Sequence, residues 1–230
     1  MILVTGSAGQ IGTELVTELR NRHGSENVLA GRHKTPLPEE IASSGPSAIV
    51  NVTEPEQLKS TLLTHGVTQI FHLSSILSVL AESDIQTAHQ VNINGVFSIL
   101  NTAFETNVEQ VIIPSSIAAF GVDTPRTLTP NDTIQRPSTV YGISKVFTEL
   151  IGNYFYSRFG LDVRGLRLPG VISWKTEPTA GTTDYAVAMF YGAIKDNKYE
   201  CYLRPDTLLP MMYMPDAIKS LLDLSNANIT

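Results

Sequence analysis

Alternating strand-like and helix-like segments, a glycine-rich turn directly after the first strand, and enough apolar residues for one large core predict an α/β fold. Of the 230 residues, 42% are hydrophobic and 17% charged, an ordinary globular balance. That length exceeds the usual single-domain mode, so one large domain or one domain with a small appendage fits. Apolar runs at residues 2–4, 27–30, 48–52, 69–73, 111–113 and 163–168 read as short buried strands. Between them, helical patterns cover 11–22, 54–65, 88–107 and 141–159. Elements of these lengths in strict alternation imply a parallel sheet, doubly wound by helices on both faces. Ligands of such sheets bind beyond the carboxyl ends of the strands. That places Gly6, Asn51, Ser74, Ser116 and Leu168 along one rim.

The first element carries the clearest signal. Met1-Ile2-Leu3-Val4-Thr5 is apolar and β-rich, Gly6-Ser7-Ala8-Gly9-Gln10-Ile11-Gly12 follows, and Ile11, Leu15, Val16 and Leu19 then recur at helical spacing. Strand, glycine turn and helix form the context of a dinucleotide fingerprint, which makes the expected sheet Rossmann-type. Here the spacing is GxxGxxG. Gly6 would allow a tight turn, Gly9 a close approach of backbone to pyrophosphate, and Gly12 the packing of helix on strand, with helix N-terminal amides facing phosphate. Proline-bearing segments 34–46 and 121–137 read as loops. Beyond Pro169 come a Thr/Gly-rich stretch at 176–183, a helix at 184–195, a short strand at 210–214, and a helix opened by Pro215-Asp216 and running to Leu224. Methionines 211, 212 and 214 are expected to fill core gaps rather than line a flexible surface.

Tyr141 and Lys145 stand four residues apart, 25 residues after Ser116. On a helix this spacing puts both side chains on one face. An ammonium beside a phenol favours the phenolate and draws its pKa down from about 10, which would equip Tyr141 as a general base for an alcohol. Other chemistries have little support. Net charge is −6 and no Lys/Arg run forms a basic stripe, so a nucleic-acid partner is not expected. Cys201 is the only cysteine and the five histidines are scattered, so neither a disulfide framework nor a metal site is expected. The absence of a roughly 20-residue apolar run and of a basic leader leads to the expectation of a cytoplasmic protein with no membrane partner.

Longer motifs add a resemblance. Gly6-x-x-Gly9-x-x-Gly12, Ser116 and Tyr141-x-x-x-Lys145 in this order resemble the extended short-chain dehydrogenase/reductase family. The runs 114–121, 136–142, 167–173, 181–186 and 209–216 look like the L-threonine 3-dehydrogenases of its epimerase-like branch, and the likeness extends over essentially the whole chain. The resemblance implies NAD-dependent oxidation of the threonine side-chain hydroxyl to 2-amino-3-oxobutyrate, with Tyr141 taking the hydroxyl proton. Ser116 would hold that hydroxyl with help from Ser115, and Lys145 would lower the Tyr141 pKa and bind the nicotinamide ribose. Ser78 and Thr183 would contact the amino-acid head group. Gly9, Gln10, Ile11 and Gly12 would face the pyrophosphate, and Asn51 and Val52 would flank adenine. Leu73, Ser74, Ser75 and Asn92 would lie under the cofactor, while Pro169 and Val171 would border the nicotinamide amide. It also implies a cofactor domain at 1–168, a small substrate-binding portion at 169–230 interleaved with the last sheet elements, and a homodimer joined through helices 88–107 and 141–159.

Two features depart from that pattern. The family usually ends its second strand with an aspartate for the ribose hydroxyls of NAD, whereas Leu29-Ala30-Gly31-Arg32-His33 puts Gly31 where the acid is expected. Arg32 beside it can accommodate a 2′-phosphate, so NAD is expected with NADP open. Family members also continue past the point corresponding to Thr230, with further elements over the substrate site. A sugar-nucleotide epimerase or dehydratase would use the same Tyr, Lys and Ser on the same fold, and a cofactor-binding protein without turnover is the third reading.

Overall fold

The computed structural model describes residues 1–175 and 183–228. The chain begins with β1 (Ile2–Thr5), α1 (Gln10–His23), β2 (Val28–Arg32), α2 (Glu39–Ser43), β3 (Ser47–Ile49), α3 (Pro55–His65) and β4 (Gln69–His72). Next come α4 (Ser78–Ser83), α5 (Ile85–His89), a π turn (Gln90–Asn94), α6 (Gly95–Glu105), β5 (Gln110–Ile112) and β6 (Ser115–Ser116). The remainder comprises α7 (Val140–Phe159), β7 (Asp162–Arg164), β8 (Arg167–Leu168), β9 (Gly170–Ile172), α8 (Tyr185–Asp196), β10 (Met211–Tyr213) and α9 (Met214–Asn226).

Six strands form one parallel sheet in the order β3-β2-β1-β4-β5-β7. Because side chains alternate across a strand, each central strand feeds both layers. Leu3, Leu29, Ile70 and Val111 join one apolar cluster with Leu58 and Leu62 of α3, Ile99, Leu100 and Ala103 of α6, and Phe155 of α7. Their immediate neighbours Val4, Ala30, Phe71 and Ile112 join the other, with Leu15, Val16 and Leu19 of α1 and Ile218, Leu221 and Leu222 of α9. Full burial of each Val, Leu, Ile or Phe among them is worth about 1.5–3 kcal/mol. The chain reverses winding direction between β1 and β4, and the crevice opened there is the place where doubly wound sheets bind ligands. Two shorter parallel pairs, β6 with β8 and β9 with β10, stand outside this sheet.

Several expected elements are redrawn. The strand expected at 163–168 is two strands, with β7 in the main sheet and β8 paired to β6. The strand expected at 48–52 ends at Ile49, although the Val50 amide still reaches the Arg32 carbonyl at 2.7 Å. The 34–46 loop contains α2, which buries Ile41. The helix expected at 88–107 starts at Ile85 and is interrupted by the π turn, which leaves Asn92 buried and bonded to a neighbouring loop. A π turn inside a helix commonly marks such a specialised position. Part of the 176–183 stretch, and Gly181 and Thr182 of the 181–186 motif, lie outside the described residues.

Candidate active site

The glycine turn is built by local necessity. Gly6 has φ of +70°, and a Cβ on Gly12 would stand 2.2 Å from the Gly6 carbonyl oxygen, so only glycine lets α1 start this close to β1. The Gly9 amide closes the turn on the Gly6 carbonyl at 3.0 Å. Gly9 also caps α1 without any side-chain hydrogen bond, and the first helical turn carries no acid. The uncapped amides and the positive end of the helix dipole are therefore available to an anion. This cradle fits a dinucleotide diphosphate.

The cradle opens into a cavity of ≈ 330 Å³. Gly6, Gly9, Gln10, Ile11, Gly12, Leu73, Ser74, Ser75 and Asn92 line it together with Ser115, Ser116, Tyr141, Lys145, Pro169 and Val171. These sequence-predicted residues are thus gathered from six separate segments into one space. Arg32, Asn51, Val52, Ser78 and Thr183 do not line it. Val52 is buried, Ser78 opens α4, and the Thr183 methyl lies where a Cβ on Gly170 would stand. Asn51 uses its side-chain oxygen on the amide and hydroxyl of Thr53.

Arg32 corrects the expectation for the second strand. β2 runs through Arg32, and Gly31 is buried within it with its carbonyl taking the Ser7 amide at 3.1 Å. The strand-end place expected to hold an acid therefore belongs to Arg32. Its guanidinium reaches the His33 carbonyl at 3.4 Å and pairs with no carboxylate among the described residues.

Helix α7 delivers the reactive pair. The Thr139 hydroxyl accepts the Gly142 amide at 3.0 Å as an N-cap. A Cβ on Gly142 would meet the Ala118 carbonyl at 2.3 Å. The first turn of α7 is thereby pressed against the segment after Ser116. Lys145 Nζ lies 5.3 Å from the centre of the Tyr141 ring and donates to the Pro114 carbonyl at 2.9 Å. Burial pushes the Lys145 pKa down to about 8, opposed by the Glu149 carboxylate. Burial also raises the Tyr141 pKa, and an interaction with the Ser116 hydroxyl pulls the other way. The net direction for Tyr141 is upward, opposite to the lowering expected from Lys145, because desolvation outweighs the favourable contacts.

Other polar groups in the cavity are already committed. Asn92 accepts the Ile76 amide at 2.8 Å and donates to the Ile76 carbonyl at 2.9 Å, so it stitches the loop after β4 to the π turn. The Ser115 hydroxyl donates to the Glu149 carboxylate. His72 is buried at the cavity wall. The Thr5 hydroxyl accepts the Leu73 and Ser74 amides at 3.2 and 3.3 Å, so its own proton goes to His72 Nδ1 at 2.8 Å. His72 Nε2 then carries the ring proton and has no hydrogen-bond partner among the described residues. Burial, with the Lys145 charge adding to it, lowers the His72 pKa to about 3. The apolar strand around His72 gave some sign of burial, but not of its bond to Thr5.

Residues 2–221 match the model of the NAD dependent epimerase/dehydratase family. The chain belongs to that family. It is 42% identical over 226 residues to a bovine protein named L-threonine 3-dehydrogenase, mitochondrial, covering 98% of this chain and 60% of the relative. The L-threonine dehydrogenase structure from Clostridium difficile superposes with a TM-score of 0.94 at 44% identity, covering 99% of this chain and 71% of that one. A structure named monomeric L-threonine 3-dehydrogenase, from a metagenome, gives a TM-score of 0.93 at 41% identity, covering 99% and 72%. The chain thus spans three-fifths of the length of the bovine relative. No helix among the described residues is long and apolar enough to cross a membrane.

Proposed function

We propose that this chain oxidises the side-chain hydroxyl of L-threonine to 2-amino-3-oxobutyrate in an NAD-dependent reaction. The observation that carries the reading is the meeting of Ser116, Tyr141 and Lys145 with the glycine cradle in one cavity. The names of the relatives give the substrate. The nicotinamide of the bound dinucleotide would supply the hydride acceptor. Ser116 orients the substrate hydroxyl, and the Tyr141 phenolate receives its proton as the C3 hydrogen departs with its electron pair. Lys145, cationic below about pH 8, favours the phenolate that burial disfavours. Gln10, Ile11 and Gly12 present amides to the diphosphate, and Pro169 and Val171 border the nicotinamide end. Residues 1–168 form the cofactor half on this reading and 169–230 the substrate side; Ser78 from the first and Thr183 from the second would meet the head group, although neither lines the cavity in this structure.

Arg32 supports a second reading of the cofactor. A cation at the end of β2 with no carboxylate partner among the described residues suits a 2′-phosphate better than two bare ribose hydroxyls, so NADP is to be tested beside NAD. A homodimer through α6 and α7 is favoured by half-exposed Phe97, Phe104, Tyr154 and Phe159 on those helices, although one relative is named monomeric. Sedimentation at micromolar concentration decides between them. A cytoplasmic location rests on the sequence reading, whereas the bovine relative is named mitochondrial, and cell fractionation would distinguish the two.

The experiment follows the absorbance of reduced nicotinamide with L-threonine, using NAD and NADP in parallel, and includes a panel of nucleotide sugars. Turnover with threonine is expected. Turnover of a nucleotide sugar with retained cofactor would replace this reading with an epimerase, and cofactor binding without turnover would leave a binder.

A further inference from the structure

The cation in the site is poorly placed for its charge, and its support comes from outside the reacting trio. Lys145 is buried and has one carbonyl ligand, Pro114, at 2.9 Å. The titratable groups around it are Tyr141 and Glu149 on α7 and His72 on β4. His72 is neutral at ordinary pH, and Glu149 is the group that favours the ammonium. Tyr141, Lys145 and Glu149 follow one another at four-residue intervals and so share a helix face.

Glu149 is held from all sides. Its Oε1 accepts the Ser115 hydroxyl and Arg167 Nε at 2.9 Å, and its Oε2 accepts Arg167 Nη2 at 2.7 Å and Gln135 Nε2 at 2.9 Å. Burial alone would raise its pKa, but these partners lower it overall, so it stays ionised. Three consecutive residues thereby engage three successive turns of α7. Pro114 takes Lys145, Ser115 takes Glu149, and Ser116 meets Tyr141. Arg167 closes the arrangement from β8, where it is the register partner of Ser115. Its guanidinium also lies 5.0 Å over the Phe120 ring and donates to the Asn131 carbonyl at 2.8 Å.

We propose that Glu149 is a positioning residue for proton transfer. Clasped by Arg167, it locks residues 114–116 in register with α7 and sustains the charge on Lys145. This rests on the reading of Tyr141 and Lys145 as the proton-transfer pair. An ordinary structural ion pair would be indifferent to the protonation of Lys145, which gives the test its edge.

The test compares wild type with Glu149→Gln, which keeps the shape and loses the charge. NMR of protein labelled in its lysines follows the Lys145 titration, with Lys145→Arg assigning the signal. Wild type should titrate near about 8. In the variant the midpoint should fall by at least ~0.5 unit, the expected consequence of losing a nearby opposite charge. The alkaline limb of kcat/KM should move down with it, while the KM for the dinucleotide stays within ~2-fold, since the lost group does not bind the cofactor. Ser115→Ala cuts only the tether and serves if Glu149→Gln does not fold. It should lower kcat by on the order of 10-fold through misplacement without moving the titration. An unmoved Lys145 midpoint in Glu149→Gln, or an unchanged kcat in Ser115→Ala, overturns the proposal. Absence of threonine turnover in wild type would instead count against the dehydrogenase reading, and the lysine titration would still decide the role of Glu149.

Discussion

Helices α8 and α9 are nearly equal in length, 12 and 13 residues, and their surroundings are opposite. α9 starts with Pro215 in its first turn and buries Met214, Ala217, Ile218, Leu221 and Leu222 against the α1 side of the sheet. α8 buries no residue completely, and Phe190 and Ile194 are 65% and 81% exposed. The contrast separates two jobs. α9 finishes the α1 layer of the proposed cofactor half, although it lies last in the described chain. α8 borders an apolar hollow with Trp174, Tyr191 and Tyr213 on the proposed substrate side. The α1 layer is closed by α9, whereas α8 is left largely exposed by the described residues. Stability should therefore be concentrated in the first, and sensitivity to substrate in the second.

The largest expected effect lies at the junction of the two halves. Tyr141→Phe should lower kcat by about 10²–10⁴, the range for a lost general base, with dinucleotide affinity retained. Steady-state rates and calorimetry check it, and near-normal turnover would remove Tyr141 from its role. Next, Leu221→Ala should cost about 2–5 kcal/mol in chemical denaturation, as for other fully buried leucines. Gly12→Ala should cost about 1–3 kcal/mol by overpacking and weaken dinucleotide binding, because the added methyl meets the Gly6 carbonyl. Thermal melts with and without NADH would show both losses.

A pH effect comes next in size. The folded-state pKa of His72 is about 3, against a usual 6.5. Between those values the unfolded chain binds a proton that the folded chain excludes, so stability falls as pH drops through that window. The slope from this one group approaches about 1.4 kcal/mol per pH unit. His72→Gln should flatten the acid side of the stability profile by that amount, and an unaltered slope would contradict the buried neutral imidazole. The smallest effect belongs to α8, where Ile194→Ala should change stability by less than about 0.5 kcal/mol. A loss as large as that of Leu221→Ala would erase the contrast between the helices.

Much of the proposed cofactor half was legible because its signals are local. A strand, a glycine turn and an amphipathic α1 follow each other without interruption, and the four-residue spacing of Tyr141 and Lys145 needs only a helix to bring them together. Long-range pairing was not legible. The two-residue strands β6 and β8 exist through the register of Ser115 with Arg167, which no local pattern encodes. The π turn likewise follows from the bonds of Asn92 to Ile76, 16 residues earlier. Arg32 was read one place too far along because strand ends are set by pairing with β1 and β3 rather than by composition. Glu149 was missed although it continues the Tyr141–Lys145 spacing, since its meaning depends on Ser115 and Arg167 arriving from other strands.

The proposed hydride transfer from C3 of threonine can be followed by incubating the protein with NAD and L-threonine deuterated at C3, with mass spectrometry of the reduced nicotinamide. Deuterium in the reduced cofactor and a slower turnover than with unlabelled threonine are expected. Reduced cofactor without the label, or none at all while NAD binds, would contradict that transfer.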